Sequence, residues 1–328
     1  MEPFAGLDAA TLDRPGNGPV AATIVTVSDH KAGSKEGWAT LRETYRHLAA
    51  QDYREAVEFL LVETDTAACA IPADVLELLP GLRVVTTAGI SSFDLKNAGA
   101  EAAQSDFVVI LDADCRPAAG WWRSLYEHRL AHPEAAVISG RTFYEGGGLL
   151  ARVFAVIDRT YVDAGDPGAT QAISNNNAGF SRQILLDHPF SNEVGPFGSE
   201  PHSDRIKASA APLRFEPGML AYHAFTGWGM VREERRHIGF SLTRYRQLHP
   251  NARNGWMVRY PWLWMAYLVS ASTASDVRRS LRFGSAYGIK WFQVPYLWGC
   301  SAVTHLLEIP GIRIALGGGG VGGWNTYR

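Results

Sequence analysis

The stretch FVVILDADCRP, residues 107–117, joins a continuous apolar run to two aspartates that are separated by one small residue. The apolar run is rich in β-branched side chains, which predicts a strand buried on both faces of a mainly parallel sheet. Asp112 and Asp114 follow it, and ligands of such sheets bind beyond the carboxyl ends of the strands. Carboxylates suit Mg²⁺ or Mn²⁺, so the stretch predicts a metal site. The alternative is an acidic turn closed by Pro117.

Three further landmarks surround this strand. AATIVTVSD (21–29) predicts a first strand, followed by a helix with Leu41, Tyr45 and Leu48 at helical spacing. EFLLVETD (58–65) predicts a second strand, and the small-residue stretch ISSFDLKNAGAEAAQSD (90–106) precedes the aspartates. Together with the two aspartates, these segments resemble the family 2 glycosyltransferases in kind and in order.

The resemblance covers roughly residues 20–225 and implies the glycosyltransferase A fold. That fold is α/β: a Rossmann-like, mixed but mainly parallel sheet flanked by helices. We therefore expect a flexible tail over 1–19, a catalytic domain over 20–225, and a basic, aromatic-rich helical extension over 226–328.

The resemblance also implies contacts to a nucleoside diphosphate sugar. The first strand ends in Val27-Ser28-Asp29 rather than in the family's usual turn, and Glu63 stands where an aspartate is more common. Glutamate keeps the charge and the acceptor oxygens of aspartate but has a longer reach. The residues expected to bind the donor are Ser28, Asp29, Glu63, Lys96, Asn97 and Asp112.

Two later segments are expected to face the acceptor. In SNNNAGFSR (174–182), Asn176 and Asn177 offer amide donors and acceptors for sugar hydroxyls, although an asparagine run also forms ordinary turns. In GSEPHSDRI (198–206), Glu200 stands at the family's acidic pair, which supplies the catalytic base, and its neighbour is Pro201. Proline favours the first helical turn, so a helix should begin near residue 199. Asp204 would share the face of Glu200 and is the alternative base.

The segment RFEPGMLAYH (214–223) resembles the closing strand of the family. This resemblance makes His223 a candidate third ligand of the metal or a partner of the diphosphate. Neutral imidazole binds Mn²⁺, and a protonated ring would pair with phosphate. A lone histidine at a strand end also serves structural roles.

Composition agrees with a folded enzyme. The 328 residues are 46% hydrophobic and 20% charged, enough for a full core. The three cysteines lack CxxC spacing, which indicates neither a zinc site nor a disulfide framework and favours a reducing cytoplasm. Residues 1–19 carry acids, glycines and prolines without an apolar segment. This composition predicts a flexible tail instead of a signal peptide.

Charge divides the chain near residue 225. Residues 1–225 carry 18 basic against 29 acidic side chains, a net of −11, whereas residues 226–328 carry 13 against 4, a net of +9. The second region holds seven of the ten tryptophans and two uncharged stretches, 260–275 and 291–307, which are shorter than a bilayer span. Aromatic and basic residues together suit helices lying in an anionic membrane surface. The alternative is that these helices pack on the catalytic domain.

The sequence thus predicts an inverting, metal-dependent glycosyltransferase that uses Mn²⁺ or Mg²⁺. Its partners would be a nucleotide-sugar donor and a saccharide or lipid-linked acceptor, in the cytoplasm or peripherally on the inner face of the membrane. No nucleic-acid module accompanies the basic residues. Two alternatives are a nucleotide-sugar-binding pseudoenzyme, because Pro201 replaces an acid, and a nucleotidyltransferase, although HKAGSKEG (30–37) is only faintly like a phosphate loop.

Overall fold

The computed structural model describes residues 19–27, 37–89, 91–146, 148–195, 197 and 199–320. The predicted tail and the donor-binding candidates Ser28 and Asp29 lie outside these described residues. The strands, in chain order, are β1 (Ala22–Val27), β2 (Val57–Thr64), β3 (Arg83–Thr87), β4 (Phe107–Asp112), β5 (Cys115–Pro117), β6 (Val137–Glu145), β7 (Gly168–Ala169), β8 (Asn177–Ser181) and β9 (Leu213–Ala224).

Helices cover the sheet and form the C-terminal region. They are α1 (Gly37–Ala49), α2 (Asp65–Ala68), α3 (Ala73–Leu76), α4 (Ser92–Ala102), α5 (Trp121–Ala131), α6 (Gly148–Arg159), α7 (Arg182–Asp187), α8 (Ser199–Ala208), α9 (Trp228–Leu248), α10 (Pro261–Phe283), α11 (Val294–Leu306) and α12 (Ile309–Leu316), with 3₁₀ turns at Gly255–Arg259 and Trp291–Gln293. Among them, none combines the length and apolar character that crossing a bilayer requires.

The sheet has the order β3-β2-β1-β4-β8-β6-β9-β5, with β7 also paired to β9. Strands β3, β2, β1 and β4 are mutually parallel, and β8 is antiparallel to both β4 and β6. Strand β9 runs parallel to β6 and antiparallel to β5. The predicted mixed, mainly parallel α/β sheet is therefore confirmed, and β4 lies at its centre.

The local predictions hold for the elements around the site. The apolar residues of β4 are buried, as expected for a strand covered on both faces. Leu41, Tyr45 and Leu48 of α1 are each fully buried against one face of the sheet. Helix α8 begins at residue 199 with Pro201 in its first turn, so the predicted helix start is confirmed.

The C-terminal helices share a core with the rest of the chain. A hydrophobic cluster joins Phe154 and Ile157 of α6 to Val231, Phe283 and Leu297 of α9, α10 and α11. Trp264 is completely buried, and its indole N–H donates to the Thr243 hydroxyl at 2.9 Å. Packing on the catalytic domain, the alternative to membrane contact, therefore accounts for the inner faces of these helices.

Helix α12 approaches α9 closely because glycines lie at the contact. A Cβ built on Gly311 would lie 1.8 Å from the Arg236 carbonyl oxygen, and one on Gly239 would lie 2.3 Å from the Glu308 carbonyl oxygen. Both neighbours are backbone atoms, which cannot rotate away. Any larger residue at these positions must separate the two helices.

We expect Gly311→Ala to lower the free energy of unfolding by about 1–3 kcal/mol, because overpacking forces a backbone shift. The matched control is Gly299→Ala in α11, where nothing lies within 4 Å of the added Cβ. This control should gain roughly 0.5–1 kcal/mol from its higher helix propensity. Urea unfolding of both variants measures the difference, and equal midpoints would contradict the close contact.

Candidate active site

The two aspartates lie where the central strand ends. Asp112 is the last residue of β4, in register with Val27 at the end of β1. Its backbone N–H donates to the Asn176 carbonyl oxygen at 3.2 Å, and the next N–H, of Ala113, donates to the Val27 carbonyl oxygen. These bonds fix the turn after β4, so the side chains of Asp112 and Asp114 are held at the carboxyl edge of the sheet.

His223 reaches the aspartates through strand pairing. Strands β5 and β9 place His223 directly opposite Cys115. Its Nε2 lies 3.0 Å from Oδ2 of Asp114, and its Nδ1 is 2.8 Å from the Ala224 carbonyl oxygen. Asp114, Cys115 and His223 each offer one ligand atom, and these atoms lie within 4.8 Å of one another. The structure thus brings together the carboxylate and the imidazole proposed from the sequence.

Lys96 lies on the other side of the carboxylates. Its Nζ is 2.8 Å from Oδ1 of Asp112 and donates to the Asn175 carbonyl oxygen at 2.8 Å. The side chain is buried, and α4 is fixed at its start by a capping box between Ser91 and Asp94. Lys96 is therefore a partner of a site carboxylate.

The protonation of the cluster follows from burial and charge. Burial would raise the pKa of Asp114, but the charges of His223 and Arg159 and the His223 hydrogen bond outweigh it and lower the pKa to about 2. Burial raises the pKa of Asp112. The charge of Lys96 lowers this pKa, whereas repulsion by Asp114 raises it further. Burial would lower the pKa of His223, but the Asp114 charge raises it overall. The His223–Asp114 contact is thus an ion pair.

Arg159 and Glu234 belong to the same buried cluster and were missed from the sequence. Arg159, the last residue of α6, donates to the Tyr144 hydroxyl at 2.9 Å, and its charge acts on Asp114. Burial raises the pKa of Glu234, while the charges of Arg159 and His223 oppose this. No local signal in the sequence marked them, because arginine and glutamate are seldom buried unless they are paired.

Tyr161 connects the carboxylates to helix α8. Burial raises the pKa of its phenol, a hydrogen bond with Ser199 acts in the opposite direction, and Asp112 contributes through its charge. Tyr161 therefore lies within hydrogen-bonding distance of Ser199, the first residue of α8, and within range of the Asp112 charge. The hydrogen bond links the N-terminus of α8, which carries Glu200, to a tyrosine that senses the charge of Asp112.

Glu200 and Asp204 face the same neighbouring helix, α9, as their spacing predicts. Arg246 holds Glu200 with two hydrogen bonds, at 2.8 and 3.2 Å. The Tyr245 hydroxyl donates to Oδ2 of Asp204 at 3.0 Å, and Lys207 Nζ lies 2.9 Å from Oδ1. Glu200 is in the helix's first turn, and Asp204 is one turn further from Tyr161 and the carboxylates.

Two asparagines that were expected to contact ligands form hydrogen bonds within the protein. The Asn177 side chain has no solvent exposure; it accepts from Trp121 Nε1 and donates to the Arg141 and Met219 carbonyl oxygens. Asn97 exchanges two hydrogen bonds with the backbone of Phe190. The Asn177 amide is thus occupied by protein groups, and the expected acceptor contact is corrected. Asn97 is partly exposed and keeps one N–H, so its contact with the donor stays a prediction.

Asn176 and Glu63 are also enclosed. Asn176 accepts from the Ser174 hydroxyl at 2.7 Å and donates to the Cys115 sulfur at 3.4 Å, behind the turn that carries the aspartates. Glu63, the second-last residue of β2, has no solvent exposure, and it accepts from the Thr64 N–H at 3.2 Å. In this structure neither side chain is open to an acceptor or a nucleotide base.

Comparison with known proteins agrees with this geometry. The family model described as Glycosyl transferase family 2 matches residues 34–188. Residues 34–188, a little under half of the chain, therefore resemble glycosyltransferase family 2 domains. Curated pre-mycofactocin glycosyltransferases from two strains of Mycobacterium tuberculosis are 30% identical over 139 residues, which is 39% of this chain and 29% of those proteins. The chain thus aligns with less than a third of the length of these relatives.

A solved structure supports the fold over nearly the whole chain. A mannosyltransferase from Pyrobaculum calidifontis, in complex with GDP-Man and Mn²⁺, superposes with a TM-score of 0.57 and 18% identity. The match covers 93% of this chain and 91% of the mannosyltransferase. The resemblance to family 2 and to the glycosyltransferase A fold is confirmed, and the superposition extends into the C-terminal helices.

We expect Asn177→Ala to destabilise the protein by on the order of 3 kcal/mol. The change removes the hydrogen-bond partner of a buried indole N–H and of two buried carbonyl oxygens. The control is Asn251→Ala, at an exposed position after α9, which should change stability by less than about 0.5 kcal/mol. Thermal unfolding of both variants tests this structural role. An Asn177→Ala protein of unchanged stability would contradict the structural role and favour a ligand-binding role for Asn177.

Proposed function

We propose that this family 2 domain transfers a sugar from a nucleoside diphosphate sugar to an acceptor hydroxyl, with inversion at the anomeric carbon. The observation that carries the proposal is the cluster of Asp112, Asp114 and His223 at the carboxyl edge of the central strands. Ligands of open α/β sheets bind at this edge. The family 2 match supplies the reaction class.

The donor set fits Mn²⁺ or Mg²⁺. Two carboxylates are hard oxygen donors, and Mn²⁺ also accepts imidazole nitrogen. Cys115 does not suit such an ion, because burial and the charges of Asp114 and Asp112 hold the pKa of its thiol well above the usual value. Asp112, Asp114 and His223 would hold the metal, whose chemistry is to neutralise the departing diphosphate. The Mn²⁺ and GDP-Man bound to the mannosyltransferase support this assignment.

Glu200 is our candidate for the general base, which takes the proton of the attacking hydroxyl. It occupies the first turn of α8, is partly exposed, and adjoins Ser199, the hydrogen-bond partner of Tyr161. The paired hydrogen bonds from Arg246 orient its carboxylate. Asp204 is the alternative, because it lies on the same helix face, although Tyr245 and Lys207 already occupy its oxygens.

A second candidate function follows from the same helix. Pro201 occupies the second place of the acidic pair, and Arg246 holds the remaining acid in an ion pair. A domain of this kind would bind a nucleotide sugar without turning it over. Release of nucleoside diphosphate from the donor by the purified protein separates the enzyme from this pseudoenzyme.

The metal assignment predicts that Asp114→Asn abolishes Mn²⁺-dependent donor binding while the fold persists. A thermal-shift screen of nucleoside diphosphate sugars with and without Mn²⁺, beginning with GDP-Man, first identifies the donor. Calorimetry should then show affinity reduced by more than about 100-fold, because even outer-shell changes at metal sites cost 10–100-fold. Asp106→Asn, exposed at the opposite end of β4, is the control. Unchanged Mn²⁺-dependent affinity in Asp114→Asn would remove this residue from the site.

The base assignment predicts that Glu200→Gln retains donor affinity and loses turnover by about 10²- to 10⁴-fold, the usual contribution of a positioned base. Release of nucleoside diphosphate, with water or a hydroxyl acceptor, is the measurement. Asp204→Asn is the matched comparison and should remain active. If Asp204→Asn is the inactive variant, the two roles are exchanged; if both variants are active, neither residue is the base.

A further inference from the structure

We infer that the C-terminal helices bind an anionic lipid surface through an aromatic stripe along α11. We define this stripe as Trp291, Phe292, Tyr296, Trp298, Val303 and Leu306. Between 37% and 85% of each of these residues is exposed to solvent, with Trp291 the most exposed. Contiguous exposed apolar surface of this kind marks an interaction site, because soluble proteins rarely leave it open.

Four of the six stripe residues lie on one helix face, and Trp291 and Trp298 flank it. Phe292, Tyr296, Val303 and Leu306 follow one another at intervals of four, seven and three residues, which places them in line along α11 and the 3₁₀ turn before it. The opposite face carries Leu297, Cys300 and Thr304, which are buried. The helix therefore uses its inner face for the protein core and leaves an apolar outer face.

Basic residues border the stripe. Helix α10 runs alongside, since Trp298 Nε1 donates to the Ser280 hydroxyl at 3.1 Å. On the same part of α10, Arg278, Leu281 and Arg282 are exposed, and Lys290 is exposed immediately before Trp291. Leu281 adds a further exposed apolar side chain on α10. Lys290 adjoins the stripe directly, Arg278 lies within two residues of Ser280, and Arg282 lies 3.4 Å from the Ala164 carbonyl oxygen.

The exposed charge of this region is almost entirely positive. Of its four acids, Glu234, Asp276 and Glu308 are buried, which leaves Glu233 as the exposed acid of the described residues 226–320. The exposed basic residues are Arg232, Arg236, Arg253, Arg259, Arg278, Arg282, Lys290 and Arg313. A second group of exposed aromatics, Trp256, Tyr260 and Trp262, lies at the other end of α10.

This combination selects an anionic bilayer among the alternatives. Rings and aliphatic side chains enter the headgroup boundary while arginine and lysine meet lipid phosphate. A symmetric dimer through the same face would bring Arg278, Arg282 and Lys290 of two copies together, which like-charge repulsion disfavours. Nucleic acid would use the cations and the rings but gains nothing from Val303 and Leu306.

Membrane binding does not depend on the transfer reaction. Only its corollary, that the acceptor is membrane-borne, rests on the proposed function.

The test is co-sedimentation of the full chain with vesicles of neutral phosphatidylcholine, and of phosphatidylcholine with phosphatidylglycerol, without nucleotide. Binding should require the anionic lipid and weaken between about 0.02 M and about 0.5 M salt as charges are screened. Trp291→Ala/Phe292→Ala should reduce binding by at least about tenfold, and Arg278→Gln by about fivefold. The controls are Leu130→Ala and Arg54→Gln, exposed in the catalytic domain, which should bind normally.

Three results would overturn the inference. One is failure to bind anionic vesicles at low salt while the protein remains folded by circular dichroism. Another is equal binding by Trp291→Ala/Phe292→Ala and Leu130→Ala. The third is a dimer in light scattering that the stripe variant abolishes, without any vesicle binding, which would assign the stripe to self-association. Donor binding measured on the same preparations is independent of all three, so failure here leaves the proposed transferase function standing.

Discussion

The rest of the structure depends on how it accommodates two half-buried carboxylates at the end of its central strand. Unpaired buried charge is very unfavourable, so Asp112 and Asp114 require cations at close range. Lys96 comes from α4, His223 from β9 and Arg159 from α6. Three elements from distant parts of the chain must therefore meet at one point. A bound metal would compete with these cations, so the cluster is both a structural centre and the candidate active site.

The C-terminal helices extend this charge compensation outward from the site. Next to Arg159, Asp158 pairs with Arg235 of α9, which also bonds Glu308 at 3.0 Å. His305 bridges Glu308 and Asp276 at 2.8 Å each, and thereby joins α10, α11 and α12 to the same network. Buried ionic networks of this kind contribute specificity of arrangement more than net stability. Helix α6 thus contributes Arg159 to the site and Asp158 to the ion-pair network of the C-terminal helices.

Some of this could be predicted from the sequence and some could not, for physical reasons. Strand β4 and helix α1 were predictable because burial imposes local periodicity, and His223 because motif order places its strand. Asn177 was assigned wrongly, since an asparagine run looks like a turn and only the sheet supplies the carbonyl oxygens that occupy its amide. Arg159 and Glu234 come together through packing of α6 with α9, which no local pattern encodes. Likewise Trp262 is exposed and Trp264 fully buried, two positions apart, because α9 covers only one side of α10.

The same constraint explains why the C-terminal exterior is so basic. Glu234, Asp276 and Glu308 lie inside, where they compensate Arg159, Arg235 and His305. Acids used in this way no longer offset the arginines that remain on the surface. The exposed side chains of the described residues 226–320 therefore comprise eight basic residues and one acid, a net of +7, close to the region's net of +9 in the sequence. Folding thus keeps at the surface the charge asymmetry that the sequence shows between its two regions, and an asymmetry of this kind orients a molecule in the field of an anionic surface.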